Sequence, residues 1–240
     1  MSAAPDRRRI RAIVRRLERR FGPLVPPRAT DPLDELVLTV LSQHTSDANA
    51  ERAFEALRRT YPTWARVAAA PTRDLARAIR SGGLANTKAA RIRAILREVA
   101  EREGAYDLSR LRELPDAEVR TYLTGLPGVG PKTAAVVMAF ALGRDAIPVD
   151  THVHRVARRL GLVPPRASAE RAHDLLHGLV PDALKVPLHV GLIRLGRTVC
   201  RAREPRCADC PLVDLCPTGG AILGRGGGRR RARPAGSGNG

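Results

Sequence analysis

Residues 126–143 read LPGVGPKTAAVVMAFALG. A proline, two glycines and a second proline stand directly ahead of Lys132 and an apolar run. Gly128 and Gly130 allow backbone angles closed to other residues and leave the turn's amides bare. Pro131 suits the first position of a following helix, where its missing N–H costs nothing. Lys132 then falls in the first helical turn, at the positive end of the helix dipole. Bare amides at Gly128, Val129 and Gly130 together with that dipole make an anion site, suited to holding a phosphate backbone without reading bases. Taken alone, the stretch leaves a plain helix–helix turn as the lesser alternative.

Outward from this hairpin the chain reads as helix almost throughout. Apolar residues recur three and four positions apart in LDELVLTVLSQ, AERAFEALRRTY, TRDLARAIRSGG, AARIRAILREVAERE and DAEVRTYLTGL before the hairpin. The same period continues in THVHRVARRLGLV, AERAHDLLHGLV and LHVGLIRLGRTVC after it. Asp31-Pro32 opens the first of these segments, Gly82-Gly83 closes the third, and Gly143 ends the helix that starts at the hairpin. Strand patterns are missing, so the expected fold class is all-α. The N-terminal MSAAPDRRRIRAIVRRLERRF lacks the apolar core of a secretory signal and reads as one more helix. From Gly219 onward the chain carries five arginines, no acid and little apolar content, the composition of a disordered basic tail.

The formal charge of +18 points to a polyanionic partner, of which nucleic acid is the commonest. No apolar run approaches the roughly 18 residues of a spanning helix, which argues against a membrane role. Aromatic residues make up only 3% of the chain, too few for a single-strand binder built on stacking platforms. The basic residues are almost all arginine, and the three lysines are Lys88, Lys132 and Lys185. Arginine stays protonated, whereas a lysine can lose its proton and attack an electrophilic carbon. A lysine at the hairpin of so arginine-rich a chain is therefore a candidate nucleophile.

Cys200, Cys207, Cys210 and Cys216 form a C-x6-C-x2-C-x5-C array within seventeen residues. Disulfides do not suit a helical protein without a secretion signal. Structural zinc usually takes two paired C-x2-C knuckles, and this array has one. Unequal spacings around one short loop suit a 4Fe–4S cluster, whose four irons each take one thiolate. His152, His154, His173, His177 and His189 lack a carboxylate or a further ligand at metal spacing, so surface or cap roles are expected of them.

The hairpin, VDTHVHR at residues 149–155 and the cysteine array follow one another in an order that resembles the endonuclease III branch of the helix-hairpin-helix DNA glycosylases, over nearly all of residues 10–217. The resemblance implies two helical domains flanking a DNA-binding cleft. Residues 31–145 would form a helical barrel with the hairpin; residues 1–30 with 146–217 would form the iron–sulfur domain, and 218–240 the tail. It implies a bifunctional DNA glycosylase/AP lyase of base excision repair, acting on oxidised pyrimidines in double-stranded DNA and on abasic sites. Lys132 would attack C1′, form a Schiff base and cleave 3′ to the lesion by β-elimination, its neutral amine favoured by the helix end and by partial burial. Asp150, placed as a helix N-cap, would stabilise the positive charge developing on the sugar. His44 and Leu84 match the positions that fill the gap left by the extruded nucleotide. The family residue at the first is glutamine, so the opposite-base preference differs here. A leucine packed on the core is the alternative for Leu84. The cluster would be structural, fixing Arg201, Arg203 and Arg206 against the DNA backbone. A monomer in the bacterial cytoplasm, at the nucleoid, is expected. The alternatives are a noncatalytic hairpin module, an AP lyase with divergent base specificity, and a zinc-stabilised DNA-binding protein. A relative of the adenine glycosylases would lack the hairpin lysine.

Overall fold

The computed structural model describes residues 7–25 and 31–227. Residues 1–6, 26–30 and 228–240, which include the far part of the expected tail, lie outside the described residues. Twelve α-helices and no strand occur among the described residues. In chain order they are α1 (Arg7–Phe21), α2 (Pro32–Ser42), α3 (Asp47–Thr60), α4 (Trp64–Ala69), α5 (Thr72–Ala78) and α6 (Ala85–Glu103). Then follow α7 (Asp116–Thr124), α8 (Pro131–Phe140), α9 (Thr151–Arg159), α10 (Ala169–Leu179), α11 (Lys185–Thr198) and α12 (Pro217–Gly227).

The chain divides into two compact units. Described residues of 25–148 form one, and those of 1–24 and 149–240 form the other. In the first unit α2 packs against α3 and α8, and α5 against α6. Leu33, Leu36, Val37 and Val40 of α2 are fully buried, as are Ile95, Leu96 and Val99 of α6. Asp31 begins α2 as its N-cap, accepting from the amides of Leu33 at 2.9 Å and Asp34 at 3.2 Å. In the second unit α11 packs against α1 and α9. Its Gly191 lies so close to α1 that a Cβ there would stand 2.8 Å from Leu17 Cδ1. The apolar face of α1, Ile10, Ile13, Val14 and Leu17, is buried while its arginines ring the other side.

Two helices escape the sequence pattern. α4 is six residues long, too short to show a period. α12 occupies the start of the expected disordered tail. Pro217 starts it, and the amides of Gly219 and Gly220 bond to the sulfur and carbonyl of Cys216 at 3.2 and 3.0 Å. A helix rich in glycine persists there because its first turn is anchored to the cysteine loop. The expectation of surface or cap roles for the histidines also fails in part. His173 and His189 are buried, and the rings of His173 and His177 stack at 6.4 Å. A neutral imidazole is flat and small enough to pack as an aromatic side chain. No group of three or more His, Cys, Asp or Glu among the described residues is disposed to hold a metal ion.

Candidate nucleic-acid interface and cysteine loop

The hairpin joins α7 to α8. Gly128 has φ +72°, and a Cβ at this position would lie 2.4 Å from Arg91 Nε. The backbone angle favours glycine, and any Cβ here would also make the Arg91 side chain shift. Gly130 differs from the expectation: its φ of −95° and ψ of 179° are open to any residue, and a Cβ there would meet nothing within 4 Å. The absence of a side chain at Gly130 therefore serves the outside of the turn, not its conformation. Val129 turns the other way. Its side chain is buried and its amide donates to Leu126 O at 3.1 Å, so it cannot offer an N–H to an anion as expected. Pro131 is the first residue of α8, and no side chain caps that helix. Its early amides, beginning at Lys132, are accordingly left to solvent or a ligand. Arg144, just beyond α8, holds the hairpin together by reaching Asp116 at 3.0 Å and the carbonyls of Arg112 and Leu114 at 2.7 and 2.9 Å.

Of the three lysines, two have internal partners. Lys88 is buried, and Lys185 is buried against Asp182 at 2.6 Å. Lys132 alone of the three is exposed. The partial burial expected of Lys132 is therefore absent from the free protein, and its place is the first turn of an uncapped helix.

Asp150 stands at the N-terminus of α9, where its Oδ1 accepts from the Val153 amide at 2.7 Å. The cap engages one of its two oxygens. Lys132 belongs to the unit of residues 25–148 and Asp150 to the other.

His44 and Leu84 share an unusual backbone. They are the two non-glycine residues with positive φ among the described residues, at 56° and 47°. A left-handed conformation costs such residues about 1–2 kcal/mol each. Leu84 is 58% exposed, so it is not a loop leucine packed on the core. At the start of α6, an exposed leucine in a strained turn gains little from its own burial to offset that cost. His44 is exposed in the turn after α2. Beside it Gln43 accepts through Oε1 from the same Arg91 that lies over Gly128. Arg91 thus ties the His44 turn to the hairpin, a role the sequence does not announce.

The four cysteines are free of disulfides and line one hollow with Val199, Val213 and Ile222. Four arginines hold the loop around them. Arg159 donates to Cys200 Sγ at 3.3 Å, Arg201 O at 2.6 Å and Ala202 O at 2.8 Å. Arg155 donates to Cys200 O at 3.1 Å and Gly196 O at 3.0 Å. Arg9 reaches Leu215 O at 2.7 Å, and Arg16 bonds Asp214. Burial first, and the neighbouring thiols after it, raise the Cys207 and Cys210 thiols above the usual range. Arg201 and Arg203 are exposed. Arg206 is partly committed to the loop itself, donating to Thr198 O at 3.0 Å with Asp209 at 3.8 Å.

An all-α chain with a glycine hairpin opening an uncapped helix and a separate four-cysteine loop defines the class, and residues 37–182 match the HhH-GPD superfamily of base excision DNA repair proteins. Over 206 residues the chain is 36% identical to endonuclease III of Thermotoga maritima, spanning 86% of this chain and 89% of that one. It is 37% identical over 190 residues to endonuclease III of Bacillus subtilis, with 79% and 83% covered. A protein of Arabidopsis thaliana described as a DNA glycosylase shares 39% identity over 191 residues, and the chain spans 65% of its length. Among solved structures, a trapped covalent intermediate of endonuclease III with DNA aligns with a TM-score of 0.76 at 32% identity, covering 91% of this chain and 99% of that one. The chain belongs to the endonuclease III family within that superfamily.

Proposed function

We propose that this protein is a bifunctional DNA glycosylase and AP lyase that binds double-stranded DNA, extrudes a damaged base and cuts the strand 3′ to the resulting abasic site. The observation that carries the reading is Lys132: the exposed one of three lysines, in the first turn of an uncapped helix that opens from a hairpin with an unobstructed Gly130. Phosphate at the hairpin amides holds the backbone. The neutral Lys132 amine attacks C1′, and the C1′–N bond breaks as the base leaves with its electron pair and takes up a proton. Opening of the sugar ring gives an imine on Nζ. Loss of a C2′ proton then breaks the C3′–O bond, and water hydrolyses the imine to restore the amine. The Asp150 carboxylate supports the cationic sugar and the proton movements. Its cap bond uses one oxygen only, so both roles are compatible.

Oxidised pyrimidines are the proposed substrates, with His44 in place of the family's glutamine altering the preference for the opposite base. His44 and Leu84 fill the gap, and this role accounts for two strained, exposed side chains. Exposed Arg201 and Arg203 contact phosphates, with Arg206 mainly bracing their loop.

The cysteines suit a 4Fe–4S cluster. All four line one hollow together with Val199, Val213 and Ile222. Cys200 and Cys216 already accept N–H bonds from Arg159 and the Gly219 amide, the kind of donor that stabilises cluster thiolates. When bound, the cluster would supply charge to keep the thiols ionised and would fix the loop. The protein would act as a monomer at the nucleoid.

Borohydride reduction in the presence of duplex containing an abasic site tests the lysine. The wild-type protein is expected to become covalently joined to DNA and Lys132→Gln is not. A folded Lys132→Gln protein that still cross-links removes Lys132 from the chemistry, and failure of the wild type to cross-link favours a noncatalytic hairpin module.

A further inference from the structure

Lys88 lies four residues into α6 and is 2% exposed. Its Nζ donates to two carbonyls, Leu41 O at 2.6 Å and Gly82 O at 2.7 Å. Leu41 is near the end of α2, three residues before His44. Gly82 ends the short 3₁₀ turn Arg80–Gly82, two residues before Leu84. One buried ammonium thus spans the turn that presents His44 and the turn that presents Leu84.

The site is electrostatically unfavourable for a charge. Burial, and after it the nearby Arg91, push the Lys88 ammonium below the ordinary lysine range. The ammonium also reaches back toward the positive end of its own helix. The compensation is the pair of carbonyls, both at helix C-terminal ends where a cation is welcome. Arginine, used nearly everywhere else in this chain, is wrong here: a planar fork needs more room than a compact ammonium between two converging oxygens. The Gly82 turn is also closely packed, since a Cβ on Gly82 would stand 3.1 Å from Ala53 Cβ of α3 and 3.8 Å from Leu41 O.

We propose that Lys88 is a positioning residue that clasps the His44 and Leu84 turns into one rigid wedge, so that the two side chains enter DNA together when the damaged nucleotide is extruded. The inference rests on the gap-filling role given above to His44 and Leu84. His44 and Leu84 themselves hold left-handed backbone without being glycine, and the clasp fixes a carbonyl shortly ahead of each strained residue.

The test compares wild type with Lys88→Met in single-turnover excision from two substrates: a thymine glycol in a fully paired duplex, and the same lesion in a single strand, where no opening is needed. Lys88→Met is expected to slow excision from the duplex by tenfold or more. On the single strand it should remain within about threefold of wild type, because the chemistry is untouched. Equal rates on the duplex overturn the clasp, and equal slowing on both substrates reduces Lys88 to a general structural role, which also overturns it. If Lys88→Met does not unfold cooperatively, a cycle of His44→Ala, Leu84→Ala and the double variant decides instead. Together the two losses should be clearly less than the product of the single ones, and independent, multiplicative losses overturn the proposal. Failure of the underlying reading looks different: wild type would then excise nothing, or His44→Ala and Leu84→Ala would each leave duplex excision unchanged.

Discussion

The hairpin glycines offer a matched pair of substitutions whose effects should separate stability from DNA binding. In Gly130→Ala the backbone, at φ −95° and ψ 179°, accepts alanine without strain, and the new methyl meets no atom within 4 Å. Alanine gains about 0.4–1 kcal/mol from the less disordered unfolded chain and loses a similar amount as a poorer N-cap than glycine. The net change in stability should stay within about 1 kcal/mol of zero. In Gly128→Ala the positive φ of 72° costs about 1–2 kcal/mol. The Arg91 side chain must also leave a methyl that would sit 2.4 Å from its Nε, at the expense of its bond to Gln43, worth about 1 kcal/mol. After the same unfolded-state gain, Gly128→Ala should be destabilised by roughly 1–3 kcal/mol. For DNA the order changes. The methyl of Gly130→Ala stands where a phosphate would approach, and losing one charge-assisted contact of about 1.5–3 kcal/mol weakens binding by about ten- to a hundredfold. Urea denaturation measures the first quantity. Fluorescence anisotropy at one fixed salt concentration, with a duplex carrying a stable abasic-site analogue, measures the second. A Gly130→Ala protein of normal stability that binds DNA like wild type would refute the phosphate site at this hairpin.

Two further outcomes follow from the charge pattern. Arg110 donates to both oxygens of Glu103, at 2.8 and 3.0 Å, and holds its carboxyl below the usual range despite the opposing effect of burial. A lowered carboxyl stabilises the fold above the unfolded-state value near 4.5 and loses that contribution as pH falls through the folded-state value. Glu103→Gln should therefore cost up to about 1 kcal/mol at pH 7 and progressively less on acidification below that point, read by denaturation at a series of pH values. Arg159→Ala removes the donor to Cys200 Sγ together with two carbonyl contacts in the same loop. Purified Arg159→Ala protein should carry less iron and sulfide per chain than wild type, by chemical assay of both. Unchanged content would mean that the loop does not need this arginine to hold its cluster.

Much of this protein is written locally. The helices follow from the spacing of apolar residues and from caps such as Asp31, features complete within a dozen residues of chain. Pro131, Lys132 and the cysteine array are equally legible, because spacing along the chain already fixes which residue begins the helix and which thiols share a loop. Even Asp150 as an N-cap follows from its place ahead of THVHRV. What the sequence could not decide depends on atoms brought from far along the chain. Gly128 and Gly130 look alike in LPGVGPK, yet Arg91 lies over one and open space over the other. Val129 reads as part of the phosphate grip and instead faces the core. Lys88 and Lys132 are equally rare lysines, but burial between Leu41 O and Gly82 O commits the first and exposure frees the second. The left-handed backbone of His44 and Leu84 has no local cause, since neither is glycine, and it persists where tertiary contacts outweigh the strain. Local periodicity and caps determined which segments are helices and where the reactive residue types stand. Long-range packing decided which of those residues are spent inside the fold and which are left to meet a ligand.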